Sequence, residues 1–271
     1  MKFFDKIMPK IKNLFSIIKI FKNWPSCLLA RARLMKEPYF ICCLRKGIKY
    51  KIRSDSPYDR WIIHEIWEDK DYNIENFSIE DGDIILDIGA QIGVFSVFAA
   101  KHNHRGIIYA IEPFVENFKL LEENLRLNKI NNVIPLCKAV SGENKIKKLY
   151  ISNDNTGTHS FFSEKNERFI DVQTVSLKSI IENYNIYTID FLKMDCEGAE
   201  YEILLNCPNE IIKMIKKIAM EYHNIDGYRN VLMLKEFLEK KGFKVLINVN
   251  MLYARRESGA NNKMLQGAEI C

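Results

Sequence analysis

Residues 84–93 read Ile84-Ile85-Leu86-Asp87-Ile88-Gly89-Ala90-Gln91-Ile92-Gly93, an apolar run that leads into two glycines four positions apart. The apolar run predicts a buried β-strand, and the segment between the glycines predicts a tight turn into a helix. Gly89 would let the backbone turn and let a ligand approach, and Gly93 would let the helix pack closely. Ligands of open α/β sheets bind beyond the carboxyl ends of the strands, so this turn is a predicted binding site.

Strands and helices are predicted to alternate from residue 83 onward. The predicted strands are 84–88, 107–111, 133–140, 189–194 and 218–222, and the predicted helices are 94–101, 113–128, 176–184, 199–205 and 231–241. Three antiparallel strand pairs are also predicted, within 39–53, 146–175 and 243–255. Repeated β-α units predict an α/β fold with a mostly parallel sheet and helices on both faces.

The spacing of the glycines favours one class of cofactor. Dinucleotide-binding turns carry G-x-G-x-x-G, in which the middle glycine lets the backbone close on a pyrophosphate, whereas the spacing here is G-x-x-x-G. Glu112 ends the second predicted strand, 19 positions after Gly93, where a carboxylate can accept hydrogen bonds from both hydroxyls of a ribose. The sequence therefore predicts a nucleoside cofactor without a pyrophosphate, and a dinucleotide-dependent oxidoreductase is the alternative.

The fourth core strand ends in a second polar turn, Lys193-Met194-Asp195-Cys196-Glu197-Gly198-Ala199-Glu200. Its three acids should face the same crevice as the glycine turn, and so should His223, which follows the fifth strand. The predicted catalytic residues, as candidate general bases, are Asp195, Glu197 and His223. Acids in the first turn of a helix also stabilise its positive end, so a purely structural role is an alternative for Glu197 and Glu200.

The net charge of +5 hides a strong asymmetry along the chain. Residues 1–53 hold 14 Lys and Arg against two acids, a net charge of +12, and residues 54–271 hold 26 against 33, a net charge of −7. An acidic body argues against a nucleic-acid partner. Residues 1–22 place apolar side chains at helical spacing among lysines, which predicts a basic amphipathic helix. Such a helix either packs on the body or, together with the rest of residues 1–36, contacts an anionic membrane.

Several protein classes are disfavoured by what the sequence lacks. The seven cysteines show no repeated spacing and no zinc-finger pattern. Lysines interrupt the apolar residues of 11–21 and no small-residue cleavage site follows, so we predict no secretory signal. No run of about 20 apolar residues is present. We therefore expect a cytoplasmic protein with mostly reduced thiols.

The order of the motifs resembles that of FkbM-type methyltransferases over about residues 45–255. The resemblance rests on D-I-G-A-Q-I-G at 87–93, I-E-P at 111–113, N-F-x-x-L-x-x-N at 117–124, A-V-S at 139–141 and K-M-D-C-E-G-A-E at 193–200. It implies the class I methyltransferase fold, a Rossmann-like seven-stranded sheet whose last hairpin makes one strand antiparallel. It also implies an S-adenosylmethionine-dependent O-methyltransferase that acts on a sugar, glycan or natural product by in-line displacement.

The resemblance assigns roles to the residues of the two turns. The glycines would shape the loop around the methionine part of S-adenosylmethionine, and Asp87 would orient that loop or hold the amino group through water. Glu112 would hold the ribose, and the segment that contains Ala139 would border the adenine. The predicted cofactor-binding residues are Asp87, Gly89, Ala90, Gly93, Glu112, Pro113, Ala139 and Asp195. We predict no metal site; Mg²⁺ held by Asp195, Glu221 and Asn224 is the less favoured alternative.

No motif identifies the acceptor. Loop 153–166, which contains His159, and segment 57–77 are predicted to shape its pocket. The chain departs from the family where Ala90-Gln91 replaces the usual Ala-Asn. Predicted domain boundaries are 1–38 for a basic helical extension, 39–256 for the methyltransferase domain and 257–271 for a flexible tail. A non-catalytic binding protein on the same fold is a third alternative to the methyltransferase and the oxidoreductase.

Overall fold

The structure of this protein, a computed structural model, describes residues 16–69, 72, 74–151, 159–161 and 168–256. The predicted tail and most of the predicted basic helix lie outside these residues. The strands are β1 (Tyr39–Cys43), β2 (Lys49–Arg53), β3 (Ile85–Ile88), β4 (Ile108–Ile111), β5 (Val133–Leu136), β6 (Ala139–Val140), β7 (Ile146–Tyr150), β8 (Phe169–Val175), β9 (Ile189–Met194), β10 (Ile215–Glu221), β11 (Phe243–Asn248) and β12 (Met251–Arg256).

Among the described residues, the first of the named helices precedes β1 and the others lie between strands. They are α1 (Trp24–Arg31), α2 (Pro57–His64), a π-helix (Glu65–Asp69), α3 (Val94–His102), α4 (Val115–Leu127), α5 (Leu177–Tyr184), α6 (Glu200–Leu205), α7 (Asn209–Met214) and α8 (Val231–Lys240). The predicted alternation of strands and helices from residue 83 onward is therefore confirmed. Helix α7 was not predicted, because six residues are too few to show a helical period.

A seven-stranded sheet forms the centre of the protein, in the order β11-β12-β10-β9-β3-β4-β5. Strands β10, β9, β3, β4 and β5 are parallel, and β12 pairs antiparallel with both β10 and β11. The predicted class I methyltransferase topology is confirmed, including the single antiparallel strand made by the last hairpin. Because the central strands run in one direction, the ends of β3, β4, β9 and β10 meet at one edge of the sheet.

Successive residues of the central strands face opposite helical layers. On β3, Ile85 packs with residues of α3 and α4, whereas Leu86 and Ile88 pack with residues of α5, α6, α7 and α8. All four residues of β3 and all six of β9 are buried. Burial on both faces explains why these strands are nearly continuous apolar runs, and why a polar side chain within them marks a special position.

The strand predicted over 133–140 is divided in the structure. Strand β5 ends at Leu136, where the backbone N–H of Lys138 donates to the Leu136 carbonyl at 3.0 Å and turns the chain away. The following residues, β6, pair with β8 in a separate three-stranded sheet of order β6-β8-β7. The predicted pairing of 146–151 with 169–175 is present within this small sheet. The prediction of one strand was wrong because two apolar segments with different partners adjoin.

The described part of the N-terminal segment packs on the domain. Residues 16–20 are helical, and Ile17, Ile20 and Phe21 belong to the same apolar core as β3. The Lys22 N–H donates to the Cys43 carbonyl at 2.6 Å, which joins this segment to β1. For these residues the structure agrees with packing on the body, and it gives no support to the alternative of membrane contact. Within the described ranges, no helix is long and apolar enough to cross a lipid bilayer.

Candidate active site

The glycine turn after β3 is packed directly against the turn after β9. Gly89 has φ +76°, and a Cβ on it would come within 1.7 Å of the backbone oxygen of Asp195. The direction in which a Cβ would point is therefore filled by backbone, so a residue with a side chain would keep the two turns from packing this closely. At Gly93, φ is +82° and a Cβ would come within 2.4 Å of Leu121 Cδ1, so α3 and α4 pack as closely as expected.

A buried ion pair holds these two turns together. Lys193 Nζ lies 3.2 Å from Asp87 Oδ1 and donates to the Gly89 carbonyl at 2.7 Å. Ser96 Oγ donates to Asp87 Oδ2 at 2.6 Å, and the Asp87 side chain is fully buried. Burial by itself would lower the pKa of Lys193, but the charges of Asp87 and Asp195 outweigh it and raise that pKa. Lys193 therefore carries its charge inside the protein.

The enclosure of Asp87 bears on its two predicted roles, which are to orient the glycine turn and to hold a cofactor amino group through water. Its carboxylate contacts Lys193 and Ser96 and does not line the cavity described below. These contacts favour the first of its two predicted roles, in which Asp87 orients the glycine turn. Lys193 had no predicted role; a lysine within a buried strand marks a special position, but its partner Asp87 cannot be read from the sequence.

Glu112, at the end of β4, is held by backbone donors. The N–H groups of Gln91 and Phe114 each donate to its carboxylate at 2.9 Å, and the Asn117 amide lies at 3.4 Å. Burial raises the pKa of Glu112 to about 7, although these donors oppose the shift. Arg53 donates to Asn117 and also forms a 2.9 Å ion pair with Asp59 of α2. Strand β2 and helix α2 are thereby tied to Glu112 through Asn117.

The three candidate catalytic side chains come together beyond β9 and β10. His223 Nε2 lies 3.4 Å from Glu197 Oε2, and His223 Nδ1 lies 3.0 Å from Glu200 Oε1. One ligand atom each from Asp195, Glu197 and His223 lie within 4.8 Å of one another. That spacing would suit a metal ion, yet both ring nitrogens of His223 already face carboxylates. We therefore describe the cluster as an ion-pair network.

The members of the alternative Mg²⁺ set face other partners. Asn224 Oδ1 accepts from the N–H of Val231, at the start of α8. Glu221 Oε1 accepts from the Asn250 amide at 2.6 Å. The structure therefore does not favour the set Asp195, Glu221 and Asn224.

Burial and charge shift the pKa values within the network. Burial, followed by the charges of Asp195 and Glu200, raises the pKa of Glu197 to about 8, against the opposing charge of His223. Burial would lower the pKa of His223, but its hydrogen bond to Glu200 and the nearby carboxylates raise it to about 9. Burial also raises the pKa of Asp195. At neutral pH the imidazole is therefore protonated, and Glu197 titrates in the range useful to a general base.

One cavity runs from the glycine turn to this network. Its empty space, including the solvent at its mouth, is about 810 Å³. Six predicted cofactor residues line it: Gly89, Ala90, Glu112, Pro113, Ala139 and Asp195. Glu197 lines it as well, whereas the predicted residues Asp87, Gly93 and His223 do not. The cavity thus brings the predicted cofactor site and one predicted base together.

The two segments that were predicted to shape the acceptor pocket also line the cavity. Tyr58 and Ile62 of α2, Ile66 of the π-helix and Tyr72 present aromatic and aliphatic surface. His159 also lines the cavity, with its ring 4.4 Å from that of Phe114, and burial lowers its pKa to about 4. The segments 57–77 and 153–166 contribute to the cavity as expected, as far as their residues are described.

Comparison with known proteins gives the family directly. A family profile described as "Methyltransferase FkbM domain" matches residues 87–245, which is more than half of the chain. The chain belongs to the FkbM methyltransferase family. It is a methyltransferase of the class I fold, and its cofactor is S-adenosylmethionine.

Three curated FkbM-like relatives are similar to this methyltransferase. "Methyltransferase sdnD" of Sordaria araneosa is 28% identical over 69% of this chain and 82% of its own length. "31-O-demethyl-FK506 methyltransferase FkbM" of Streptomyces tacrolimicus is 24% identical, over 73% and 86%. "Hexuronic acid methyltransferase AglP" of Haloferax volcanii is 26% identical, over 59% and 67%.

The Asp87–Lys193 pair generates a prediction for stability. Replacement of Lys193 by Met leaves a buried carboxylate without its cation, and we expect the free energy of unfolding to fall by about 3–5 kcal/mol. The double variant Asp87→Asn/Lys193→Met should lose less than the sum of the two single variants, because neither charge is then left alone. Urea unfolding followed by circular dichroism measures these differences.

Lys216→Met is the matched control on the neighbouring strand. Its ammonium lies 2.6 Å from Asp190 Oδ1, but the Lys216 side chain is 60% exposed. An exposed pair contributes about 0–1 kcal/mol. Equal losses for Lys193→Met and Lys216→Met would contradict the structural importance of the buried pair.

Proposed function

We propose that this FkbM-family methyltransferase transfers a methyl group to a hydroxyl oxygen of a sugar, glycan or natural product. The observation that carries the proposal is that Glu197 lies on the same cavity as the glycine turn and Glu112. An aliphatic hydroxyl is a weak nucleophile at neutral pH, and a general base with a pKa near the working pH is suited to activate it. The names of two relatives, 31-O-demethyl-FK506 methyltransferase FkbM and hexuronic acid methyltransferase AglP, support this acceptor class.

The residues that line the cavity fit S-adenosylmethionine. The cavity is of a size common for small-molecule sites, and no pyrophosphate has to be accommodated at the glycine turn. Glu112, fixed by two backbone donors, has lone pairs left for the ribose hydroxyls, and Ala139 borders the space for the adenine. Asp195 adjoins the glycine turn, where the methionine part is held. Bound S-adenosylmethionine supplies an activated methyl group on a sulfonium centre.

Glu197 is the group that we assign as general base. It accepts the proton of the acceptor hydroxyl while the oxygen becomes methylated, a role that contributes about 10²- to 10⁴-fold in rate. His223 is protonated at neutral pH, so it orients the Glu197 carboxylate instead of acting as the base itself. Tyr58, Ile62 and Tyr72 offer an apolar wall on which the acceptor can lie.

Transfer of a labelled methyl group tests the proposed acceptor class. The purified protein is incubated with ¹³C-methyl S-adenosylmethionine and panels of neutral glycosides, uronic acid glycosides and hydroxylated polyketides. We expect new O-methyl signals in two-dimensional carbon–proton NMR spectra for at least one panel. A product methylated on nitrogen or carbon would contradict the proposal of O-methylation.

The assignment of Glu112 predicts how cofactor affinity responds to mutation and to pH. A hydrogen bond to a charged group contributes about 1.5–3 kcal/mol, so Glu112→Gln should weaken S-adenosylhomocysteine binding by about 10- to 100-fold. Burial raises the pKa of Glu112 to about 7, and its protonated form accepts fewer hydrogen bonds. Wild-type affinity should therefore fall as the pH decreases below about 7. Isothermal titration calorimetry measures both effects.

Glu116→Gln serves as the control for this experiment. Glu116 lies on the exposed first turn of α4 and is not among the residues that line the cavity. Its substitution should leave the affinity within about twofold of wild type. An unchanged affinity in Glu112→Gln would remove Glu112 from the ribose site.

The pKa of Glu197 predicts the pH profile of turnover. Because the base acts in its ionised form, kcat should rise with pH through about 8 and then level off. Glu197→Gln cannot accept the proton, so its kcat should fall by about 10²- to 10⁴-fold. Labelled-methyl transfer to an acceptor found in the screen measures kcat. Glu210→Gln, on the exposed start of α7, is the control and should keep the wild-type profile.

We also propose a cytoplasmic location. The support for it is the set of six cysteines in the described residues, all of which are free thiols. The domain boundaries near residues 38 and 256 likewise stay proposals. The family match starts at residue 87, whereas described residues from 16 onward share the core.

A further inference from the structure

Glu200 is a completely buried carboxylate to which the function above gives no role. It is the first residue of α6, and its side chain has no exposed surface. Oε1 accepts from the Cys196 N–H at 3.2 Å and faces His223 Nδ1 at 3.0 Å, whereas Oε2 has no hydrogen-bond partner. One oxygen therefore contacts both the turn after β9 and the residue after β10.

A helix-capping role alone does not account for these contacts. An acid in the first turn of a helix stabilises the positive helix end while it stays solvated, so capping does not require burial. Burying a carboxylate costs several kcal/mol unless a partner of opposite charge compensates. His223 is the cation that meets Glu200, and it follows β10, 23 residues further along the chain.

The turn between β9 and α6 needs an anchor of this kind. Glu197 has φ +51° and Gly198 has φ +98°, so two successive residues lie in the left-handed region. For Glu197 this conformation is unfavourable, because its Cβ crowds the backbone. The hydrogen bond from the Cys196 N–H to Glu200 fixes the turn on one side, and Ser160 Oγ donates to the Glu197 carbonyl at 2.6 Å on the other.

We propose that Glu200 is a positioning residue, which binds Nδ1 of His223 so that Nε2 faces Glu197, and which anchors the turn that carries Glu197. The proposal rests on the assignment of Glu197 as general base. In this arrangement Glu200 does not contact the acceptor. It fixes the position of the His223 imidazolium relative to the Glu197 carboxylate. Loss of its charge should therefore change the protonation of His223 as well as the rate.

The groups that face His223 come from every element around it. Asp195 and Glu197 follow β9, Glu200 begins α6, and Glu221 ends β10. All four are acids and all favour the protonated imidazole. Among them, the hydrogen bond to Glu200 has the largest effect in raising the pKa of His223. Glu200→Gln removes this charge and keeps the size of the side chain, so it isolates the contribution of Glu200.

NMR titration of the full-length protein tests the proposal without an acceptor. The ring nitrogens of His223 are followed by ¹⁵N-histidine spectra and assigned with a His223→Gln variant. In the wild type we expect His223 to keep both ring protons to about pH 8 or above. In Glu200→Gln its titration should move down by about one to two pH units, equivalent to the loss of one charged hydrogen bond. Glu202→Gln, on the same helix, should titrate like the wild type.

The outcomes separate positioning from a structural role. An unchanged His223 titration in folded Glu200→Gln would overturn the proposal. If that variant does not fold, the His223 titration of the wild-type protein still tests the proposal. A His223 that is neutral at pH 7 would overturn it, because the proposed contact with Glu200 keeps the imidazole protonated. In the transfer assay, Glu200→Gln should lower kcat much more than it raises KM for S-adenosylmethionine, and Glu200→Asp should recover part of kcat. A product methylated on nitrogen or carbon in the acceptor screen would refute O-methylation and leave the titration result intact.

Discussion

A lysine ammonium and an aspartate carboxylate meet inside the protein where β3 and β9 end, and the whole cavity depends on that contact. Lys193 neutralises Asp87 and also binds the Gly89 carbonyl, so one side chain fixes the direction in which the chain leaves β3. Gly89 then packs on the backbone of Asp195, which places the carboxylates after β9. Because both charges are buried, only their mutual attraction offsets the cost of removing them from water. A small displacement of either strand would weaken that attraction.

Local hydrophobic patterns are sufficient to predict the strands of the central sheet. They fail where the end of a strand depends on pairing with a strand that is distant in the sequence. Strands β3 and β9 are buried on both faces, so their apolar runs are visible in the sequence. The division at Leu136 is not visible, because β6 leaves the sheet to pair with β8, more than 30 residues later. No window of sequence around residue 136 contains that partner. Strand β5 ends at the point where the chain leaves the seven-stranded sheet and enters the three-stranded sheet.

The residues of the candidate site also fall into those that could be predicted from local sequence and those that could not. Glu112 could be predicted because its position at a strand end and its spacing from the glycines are properties of the sequence. The roles of Lys193 and Glu200 could not, since each depends on a contact with a residue 23 to 106 positions away. His223 was predicted to share the crevice, and the structure places it behind Glu197, where its charge acts on the base. The sequence shows which residues lie at the carboxyl ends of the strands, whereas the fold determines which of their side chains contact one another.

The N-terminal segment has a consequence for how this domain relates to its family. Ile17, Phe21 and Cys27 complete the same apolar core as β3, well before residue 87, where the family match begins. The segment that the family profile matches is therefore shorter than the segment that shares this apolar core. A chimaera that took only residues 87–245 from this protein would expose the apolar surface on which Ile17, Phe21 and Cys27 pack. The rest of the chimaera would have to bury that surface with apolar side chains of its own.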